Sequence, residues 1–437
     1  MNQFAKNRLV TAVVANEDGE IFDLKGYAAV GMAGSHLVPL TLNATVKMPH
    51  GSELMLLPNR KPILYNLSKK KIEILTNHPH ISGTAIFPVA VFNSPGYVVT
   101  FVSAYKEKKD AEILPIFSYG AVGWSNGGFQ SAAICVTRER RQDLRLMKQE
   151  KVVAGIGEMR KKMPGNRLRK HLEKCALEYG CPAGKNFFLG RYEAPLPTSK
   201  ACNAQCLGCL SSQQSSKISR AQDRINFTPE PHEIAEIALE HIKKVKMPVV
   251  SFGQGCEGDP LLAANVIRPA VLMIRSKTKD GTININTNAS SPEILSDLFN
   301  MGLDSLRISL NSVRKKFYEA YFRPKGYIFE DVLKSVETAL NKNIFISINY
   351  LNSPGFTDTP EEFESLILFL KKYPINLIQW RNLNFDPLRY SETMNKIATH
   401  GTPIGMVNIL KRLKKSFPRL KHGYFNPPKE KFYAESK

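Results

Sequence analysis

Between residues 190 and 395, apolar runs of four to eight residues alternate with longer stretches in which apolar positions recur every three or four residues. The first pattern predicts buried strands and the second amphipathic helices; their alternation predicts βα units around a mostly parallel sheet. Strands are expected near Pro195 and over 248–252, 283–287, 306–310, 345–350 and 376–380. In the stretch 232–245, Ile234, Ala238, Ile242 and Val245 fall on one face, as a helix covering a barrel requires. Thr359-Pro360-Glu361-Glu362 offers a capping threonine, a proline in the first turn and a glutamate three positions on, and Ser291-Pro292-Glu293 opens another helix in similar style.

Residues 1–136 carry a different pattern. Short runs at 9–14, 20–24, 53–57, 85–92, 97–102 and 130–136 are rich in β-branched or aromatic residues and broken by turn signals such as Asp18-Gly19 and Asn126-Gly127-Gly128. They predict a separate β-sandwich or barrel-like module with no catalytic constellation, suited to presenting a partner or substrate or simply to packing on the barrel. The domain reading is a β-rich region over 1–136, a basic, partly helical connector over 137–190, the barrel over 191–395, and a basic helix and tail over 396–437.

Charge adds a clue about partners. The chain of 437 residues carries a formal +21, yet 138–175 contribute +8 and 411–437 contribute +7. Such concentration suggests a phosphate-attracting surface built from Arg138, Arg140, Arg141, Lys161, Lys162, Arg167, Arg169, Lys170, Lys411, Arg412, Lys414 and Lys415. Phe417, Tyr424, Phe425, Phe432 and Tyr433 are interleaved in the second segment as candidates for base stacking, so nucleic acid is one partner class to test. No run reaches the eighteen apolar residues of a membrane span, and nothing after Met1 reads as a signal segment. With seven cysteines, three of them clustered, a cytoplasmic location is expected rather than a disulfide framework.

The clustered three are Cys202, Cys206 and Cys209, in the run beginning Thr198-Ser-Lys-Ala-Cys202. Three thiolates on one loop supply all but one corner of a four-iron cluster and leave one iron open to a reagent. A zinc knot, or a structural cluster closed by Cys175, Cys181 or a histidine, is the alternative; nothing downstream of Cys209 supplies the second Cys or His pair usual for structural zinc. A noncatalytic iron–sulfur or zinc protein that binds nucleic acid through its basic segments is therefore the rival reading. Cys135 and Cys256 read first as small buried hydrophobes, while Cys175, Cys181 and Cys256 are each further candidates for an auxiliary ligand or a reactive thiol.

The C-x3-C-x2-C spacing resembles that of the radical S-adenosylmethionine (radical SAM) superfamily. The resemblance spans roughly 190–395 and implies an α/β fold, a partial (β/α)6 TIM-type barrel whose chemistry gathers at the C-terminal strand ends. It implies a [4Fe–4S] cluster on Cys202, Cys206 and Cys209 that chelates S-adenosylmethionine and cleaves it reductively to a 5′-deoxyadenosyl radical. Four further stretches match in order. Glu257-Gly258-Asp259-Pro260 stands where the family has Gly-Gly-Glu-Pro, with glycine suited to close backbone approach. Asn286-Thr287-Asn288 matches a Thr-Asn-Gly signature, although Ala289 follows. Arg307-Ile-Ser309-Leu-Asn311 resembles a Ser-Leu-Asp-Ser pattern, with Ser309 toward the cofactor's carboxylate or ribose, and in 347–358 Asn349 faces the ribose.

The implied cofactor-binding set is Gly258, Asp259, Pro260, Asn288, Ser309, Asn311, Asn349 and Arg381. Asn382, Asn384, Tyr350 and Arg323 are further polar candidates near cofactor or substrate. A one-electron donor such as flavodoxin or ferredoxin is implied as a partner. No cysteine occurs from Glu257 to Lys437, so the C-terminal auxiliary cluster of the peptide-maturing branch has no ligands here. The substrate is expected to be a peptide or protein, an anionic small molecule, or RNA.

Overall fold

A computed structural model describes residues 8–213 and 218–433. The expectation about the segment beginning at Met1, and residues 434–437 of the basic tail, lie outside the described residues. Seven strands, Glu193–Pro195, Val249–Phe252, Thr282–Thr287, Ser305–Leu310, Phe345–Asn352, Leu377–Asn382 and Lys421–Gly423, pair in chain order, every pair parallel. The first and last strands do not pair, so the barrel is open. Its edges still approach: Asn426, just past the last strand, donates from Nδ2 to Glu193 of the first at 2.8 Å, which marks the curl of the sheet.

Six of these strands lie where the apolar runs place them, and the seventh corrects the reading of 396–437 as helix and tail alone. Lys421–Gly423 aligns with Leu377, Ile378 and Gln379 and covers the edge of the sixth strand. Three residues, two of them polar, carry no hydrophobic pattern. The Lys421 ammonium is absorbed by the carbonyls of Lys431 and Phe432.

Each central strand alternates. Ile283, Ile285, Leu306, Ile308, Ile346 and Ile348 are fully buried in the core shared with the surrounding helices. Asn284 and Asn286, Arg307 and Ser309, Ser347 and Asn349, and Gln379 and Arg381 occupy the intervening positions, and the strand register sets them side by side on the inner face. Helix Pro231–Lys244 buries Ile234, Ala235, Ile237, Ala238 and Ile242 as its periodicity requires. Helix Pro360–Lys372 starts at the expected proline, but no capping box forms. The Thr359 hydroxyl donates to the Phe356 carbonyl, and buried Glu362 accepts the Tyr350 hydroxyl at 2.8 Å.

The N-terminal region is antiparallel throughout, centred on the thirteen-residue strand Ile21–Ala33, which pairs with Thr11–Ala15, His36–Pro39, Arg60–Asn66 and Val102–Ser103. It docks on the ends of the fifth and sixth barrel strands. Asn382 accepts from the Val99 N–H and donates to the Tyr97 carbonyl, while Asn352 donates to the Val99 carbonyl. Beside them, Arg60 and Asp386, 2% and 0% exposed, form a salt bridge of 3.4 Å that crosses the interface, and Asp386 also accepts from the Leu114, Leu388 and Arg389 N–H groups. Asp386→Ala leaves Arg60 with one carboxylate partner, Glu107, and uncaps the following helix. Chemical denaturation should show a loss of about 3–5 kcal/mol.

Helix Pro231–Lys244 also predicts an acid response. Burial pulls His241 down to about 4, with its Nε2 on the Tyr192 carbonyl at 3.2 Å. An unfolded histidine takes up its proton near 6.5. The stabilisation from keeping the ring neutral is therefore complete above about pH 6.5 and lost as pH falls toward 4, on the order of 3 kcal/mol. Thermal melts between pH 7 and 4 should show this fall, and His241→Gln, which keeps a donor for Tyr192, should flatten it.

Candidate active site

The three loop cysteines sit at the mouth of the half-barrel, and the backbone on both sides of their loop is tied down. Gly258 and Asp259 donate their N–H groups to the Ser199 and Ala201 carbonyls at 2.6 and 3.0 Å, while Gln205 and Leu207 donate to Phe322 and Tyr321 at 2.8 and 3.1 Å. A β-carbon at Gly258 would lie 1.8 Å from the Ala201 carbonyl oxygen, so only glycine lets the two loops meet this closely. Glu257 completes the junction. Its buried carboxylate accepts the N–H groups of Thr198, Ser199, Gly253 and Gln254 at 2.7–2.9 Å, clamping the cysteine loop to the glycine-rich turn. Burial pushes this carboxyl up to about 7, against the pull of those four donors.

Cys202, Cys206 and Cys209 line one cavity of about 500 Å³ together with Gly258, Asp259, Pro260, Asn288, Ser309, Asn349 and Arg381. Arg224 donates to the Cys209 sulfur at 3.7 Å. Burial and then the Asp259 charge push Cys202 up to about 11; burial, Cys209 and Cys202 raise Cys206 well above the ordinary thiol range. Thiols so placed ionise readily only against a cationic centre, as metal ligands do. The three sulfurs are not all within 4.8 Å of one another. Thiolates sharing one tetrahedral zinc sit about 3.8 Å apart, given Zn–S distances of about 2.3 Å. The three thiols are therefore spaced more widely than a single zinc ion would hold them.

Asn311 is not among the cavity residues. It is fully buried and donates to the Phe317 carbonyl and the Tyr390 hydroxyl, holding the start of helix Lys315–Phe322. Tyr350 is likewise spent on Glu362, and Arg323 ends helix Lys315–Phe322 in a left-handed conformation outside the lining. Asn382 and Asn384 line the cavity, with the Asn382 amide engaged by the N-terminal region. Asp259 accepts from the Thr287 hydroxyl and from the N–H groups of Asn288 and Leu261, so it caps the short helix Pro260–Ala263 and joins the second strand end to the third. Ala289, where the resembling signature has glycine, adopts φ 59°.

Sequence reasoning named Arg381 and Asn349 but passed over the roles of Arg307 and Glu193 on the floor of the cavity. Arg381 lies over the Tyr424 ring at 3.7 Å and donates to Asn349 at 2.6 Å and the Tyr424 carbonyl at 2.7 Å. Arg307 donates to Gln379 at 2.9 Å, and its Nε has no partner among the described residues although it is buried. Burial and the charge of Arg381 pull Arg307 down to about 9, so it stays cationic at neutral pH. Burial opposes ionisation of Glu193, but Arg141, the Ser251 hydroxyl, Arg307 and Asn426 outweigh it and hold the carboxyl below its usual range. The signal was present: polar residues two apart on successive strands, pointing into one lumen.

Five of the twelve basic residues, all in the first segment, are held in ion pairs. Arg140 pairs with Asp143, Arg141 with Glu193, Lys162 with Glu240, Arg167 with Glu233 and buried Arg169 with Glu173. Phe425 and Phe432 are buried, Phe432 stacked on Phe345 at 4.2 Å, and Tyr424 lies under Arg381, which removes three of the five candidate stacking rings and leaves Phe417 and the exposed Tyr433. A wider groove of about 710 Å³ between helices Pro360–Lys372 and Met406–Ser416 is lined by Phe363, Ile367 and Leu368 with Arg412 and Lys415, and holds no comparable chemistry. No helix among the described residues is long and apolar enough to cross a membrane.

Residues 196–370 match the family model of the Radical SAM superfamily, a span that contains the cysteine loop, Glu257-Gly258-Asp259-Pro260 and the fifth strand. This chain carries a radical SAM domain. No curated protein matches it in sequence. Among solved structures, the radical SAM domain and its flanks are similar to native anSMEcpe with bound AdoMet, at 14% identity over 44% of this chain and 52% of that one, TM-score 0.35. The chain thus spans about half the length of that protein. Methylornithine synthase aligns at 16% identity over 62% and 77% of the two chains, TM-score 0.38. A radical SAM methyltransferase from Sphaerobacter thermophilus aligns at 12% over 53% and 66%, TM-score 0.38.

Proposed function

We propose that this chain is a radical SAM enzyme acting on a substrate that carries an anionic group. Cys202, Cys206 and Cys209 would hold a [4Fe–4S] cluster by three corners, and Gly258, Asp259, Asn288, Ser309 and Asn349 would surround S-adenosylmethionine. Bound there and reduced by a low-potential donor of the flavodoxin or ferredoxin kind, these groups supply a 5′-deoxyadenosyl radical that abstracts hydrogen. The observation that carries the reading is the convergence of the three thiols and the strand-end polar residues on one cavity.

The protein's own residues do the rest. Glu257 and Gly258 fix the cysteine loop against the turn that would meet the cofactor. Ser309 and Asn349, adjacent in register on the fourth and fifth strands, offer hydrogen bonds to a ribose or carboxylate. Deeper in the lumen, Arg307 and Arg381 present two guanidiniums, one with a free buried N–H, where a carboxylate or phosphate would be received. Tyr424, in the cavity lining beside the last strand and under Arg381, covers part of the lumen.

Cell fractions supplied in deuterated form should reveal the substrate as the molecule that passes label into 5′-deoxyadenosine, and anionic fractions should carry the activity. Label arriving only from neutral or cationic molecules would refute the substrate reading. Arg307→Gln should raise the substrate KM about 10- to 100-fold, the value of a charge-assisted hydrogen bond, while changing the KM for S-adenosylmethionine little. An equal effect on both would place Arg307 with the cofactor.

A further inference from the structure

Outside the cavity, two residues of one helix and a third distant in the chain bring soft donor atoms together. His171 and Cys175 lie one turn apart on helix Arg167–Leu177, and Cys256 comes from the turn after the second barrel strand. The imidazole nitrogen and the two sulfurs all lie within 4.8 Å of one another, with His171 Nε2 to Cys175 Sγ at 3.5 Å. A tetrahedral ion with Zn–S of about 2.3 Å and Zn–N of about 2.05 Å sets an N···S edge of about 3.5 Å. The His171–Cys175 pair thus already stands at the edge length such an ion would impose, and the Cys256 sulfur lies within 4.8 Å of both. Cys175 and Cys256 are 2% and 5% exposed and His171 is partly exposed, so the set has one open side. Cys256 does not line the large cavity, although its neighbours Gly255 and Glu257 do. Its thiol therefore belongs to a different compartment from the three loop cysteines. Cys181, whose N–H bonds the Cys175 carbonyl at 2.9 Å, falls outside the set.

We propose that His171, Cys175 and Cys256 form a second metal site, mononuclear and selective for a soft divalent cation of the zinc class. His and Cys donors favour such ions over magnesium or calcium, which take oxygen ligands. Three protein ligands leave the fourth position to solvent on the His171 side. The ion would pin the connector helix to the turn that carries Glu257 and Gly258, joining the upstream region to the frame of the cysteine loop without entering the radical chemistry.

The test uses the full chain with Cys202, Cys206 and Cys209 all replaced by alanine, so that the cavity cannot take metal. Titration with Co2+ should show one equivalent bound, with a thiolate-to-cobalt charge-transfer band and tetrahedral ligand-field bands that Zn2+ displaces. Adding His171→Ala or Cys256→Ser should weaken that binding by about 100-fold or more, since even outer-shell losses cost 10- to 100-fold. Elemental analysis of the unaltered, cluster-reconstituted protein provides a second reading should the triple variant fold poorly: about one zinc per chain beside the iron, lost in Cys175→Ser. No tetrahedral cobalt spectrum, a spectrum insensitive to these substitutions, or a Cys175–Cys256 disulfide found by peptide mass in anaerobically handled protein would overturn the site. None of these results bears on S-adenosylmethionine cleavage, which is measured separately on the unaltered chain.

Discussion

Cys206→Ala should eliminate reductive cleavage of S-adenosylmethionine, lowering 5′-deoxyadenosine formation by more than about 100-fold and the iron content in proportion. Losing a supporting residue of a metal site costs 10- to 100-fold, and a direct ligand costs more. The fold should survive. Cys206 is only partly buried, and its loop is held by the Glu257 clamp and by backbone bonds to Tyr321 and Phe322, none of which uses the thiol. The melting temperature should therefore move little while iron and turnover disappear, and a large loss of stability with full iron content would speak against the ligand role. Cys202→Ala and Cys209→Ala should behave alike.

The second large effect is expected at Gly258. An added β-carbon meets the Ala201 carbonyl oxygen at 1.8 Å, a contact that no rotamer relieves because both partners are backbone. Gly258→Ala must push the glycine-rich turn off the cysteine loop and break the 2.6 Å bond from its N–H to Ser199. A cost of about 1–3 kcal/mol is expected for the overpacking, together with reduced iron loading and a raised KM for S-adenosylmethionine. Gly157, inside helix Gln149–Lys162 with nothing within 4 Å of an added β-carbon, is the control: alanine there should stabilise by about 0.5–1 kcal/mol and leave iron loading unchanged. Calorimetry and iron assays on the two variants separate the local clash from the general effect of a methyl group.

Much of the barrel was legible because its strands are apolar runs of the right length between amphipathic helices, and because the cysteines, Gly258, Asp259, Ser309 and Asn349 all fall on a loop or at strand ends. What escaped depends on partners distant in the chain. The strand Lys421–Gly423 is too short and polar to carry a pattern, and register with Leu377–Gln379 alone makes it a strand. Glu257 reads as a departure from a motif until four N–H groups are found on its carboxylate. Asn311 and Tyr350 look like strand-end ligands by position, yet each is taken by a nearer partner: the Phe317 carbonyl for one, Glu362 for the other. Charge counts are silent on placement in the same way, because a residue such as Arg169 contributes to net charge whether it faces water or lies buried against Glu173. The meeting of His171, Cys175 and Cys256 joins residues 81 positions apart and leaves no trace in local spacing.

The most direct test is anaerobic reconstitution of the full chain with iron and sulfide, followed by dithionite and S-adenosylmethionine. A [4Fe–4S] signal that changes when S-adenosylmethionine is added, with 5′-deoxyadenosine and methionine formed in equal amounts, is the expected result. A fully coordinated metal centre whose spectrum is indifferent to S-adenosylmethionine, and from which no 5′-deoxyadenosine arises, would contradict it.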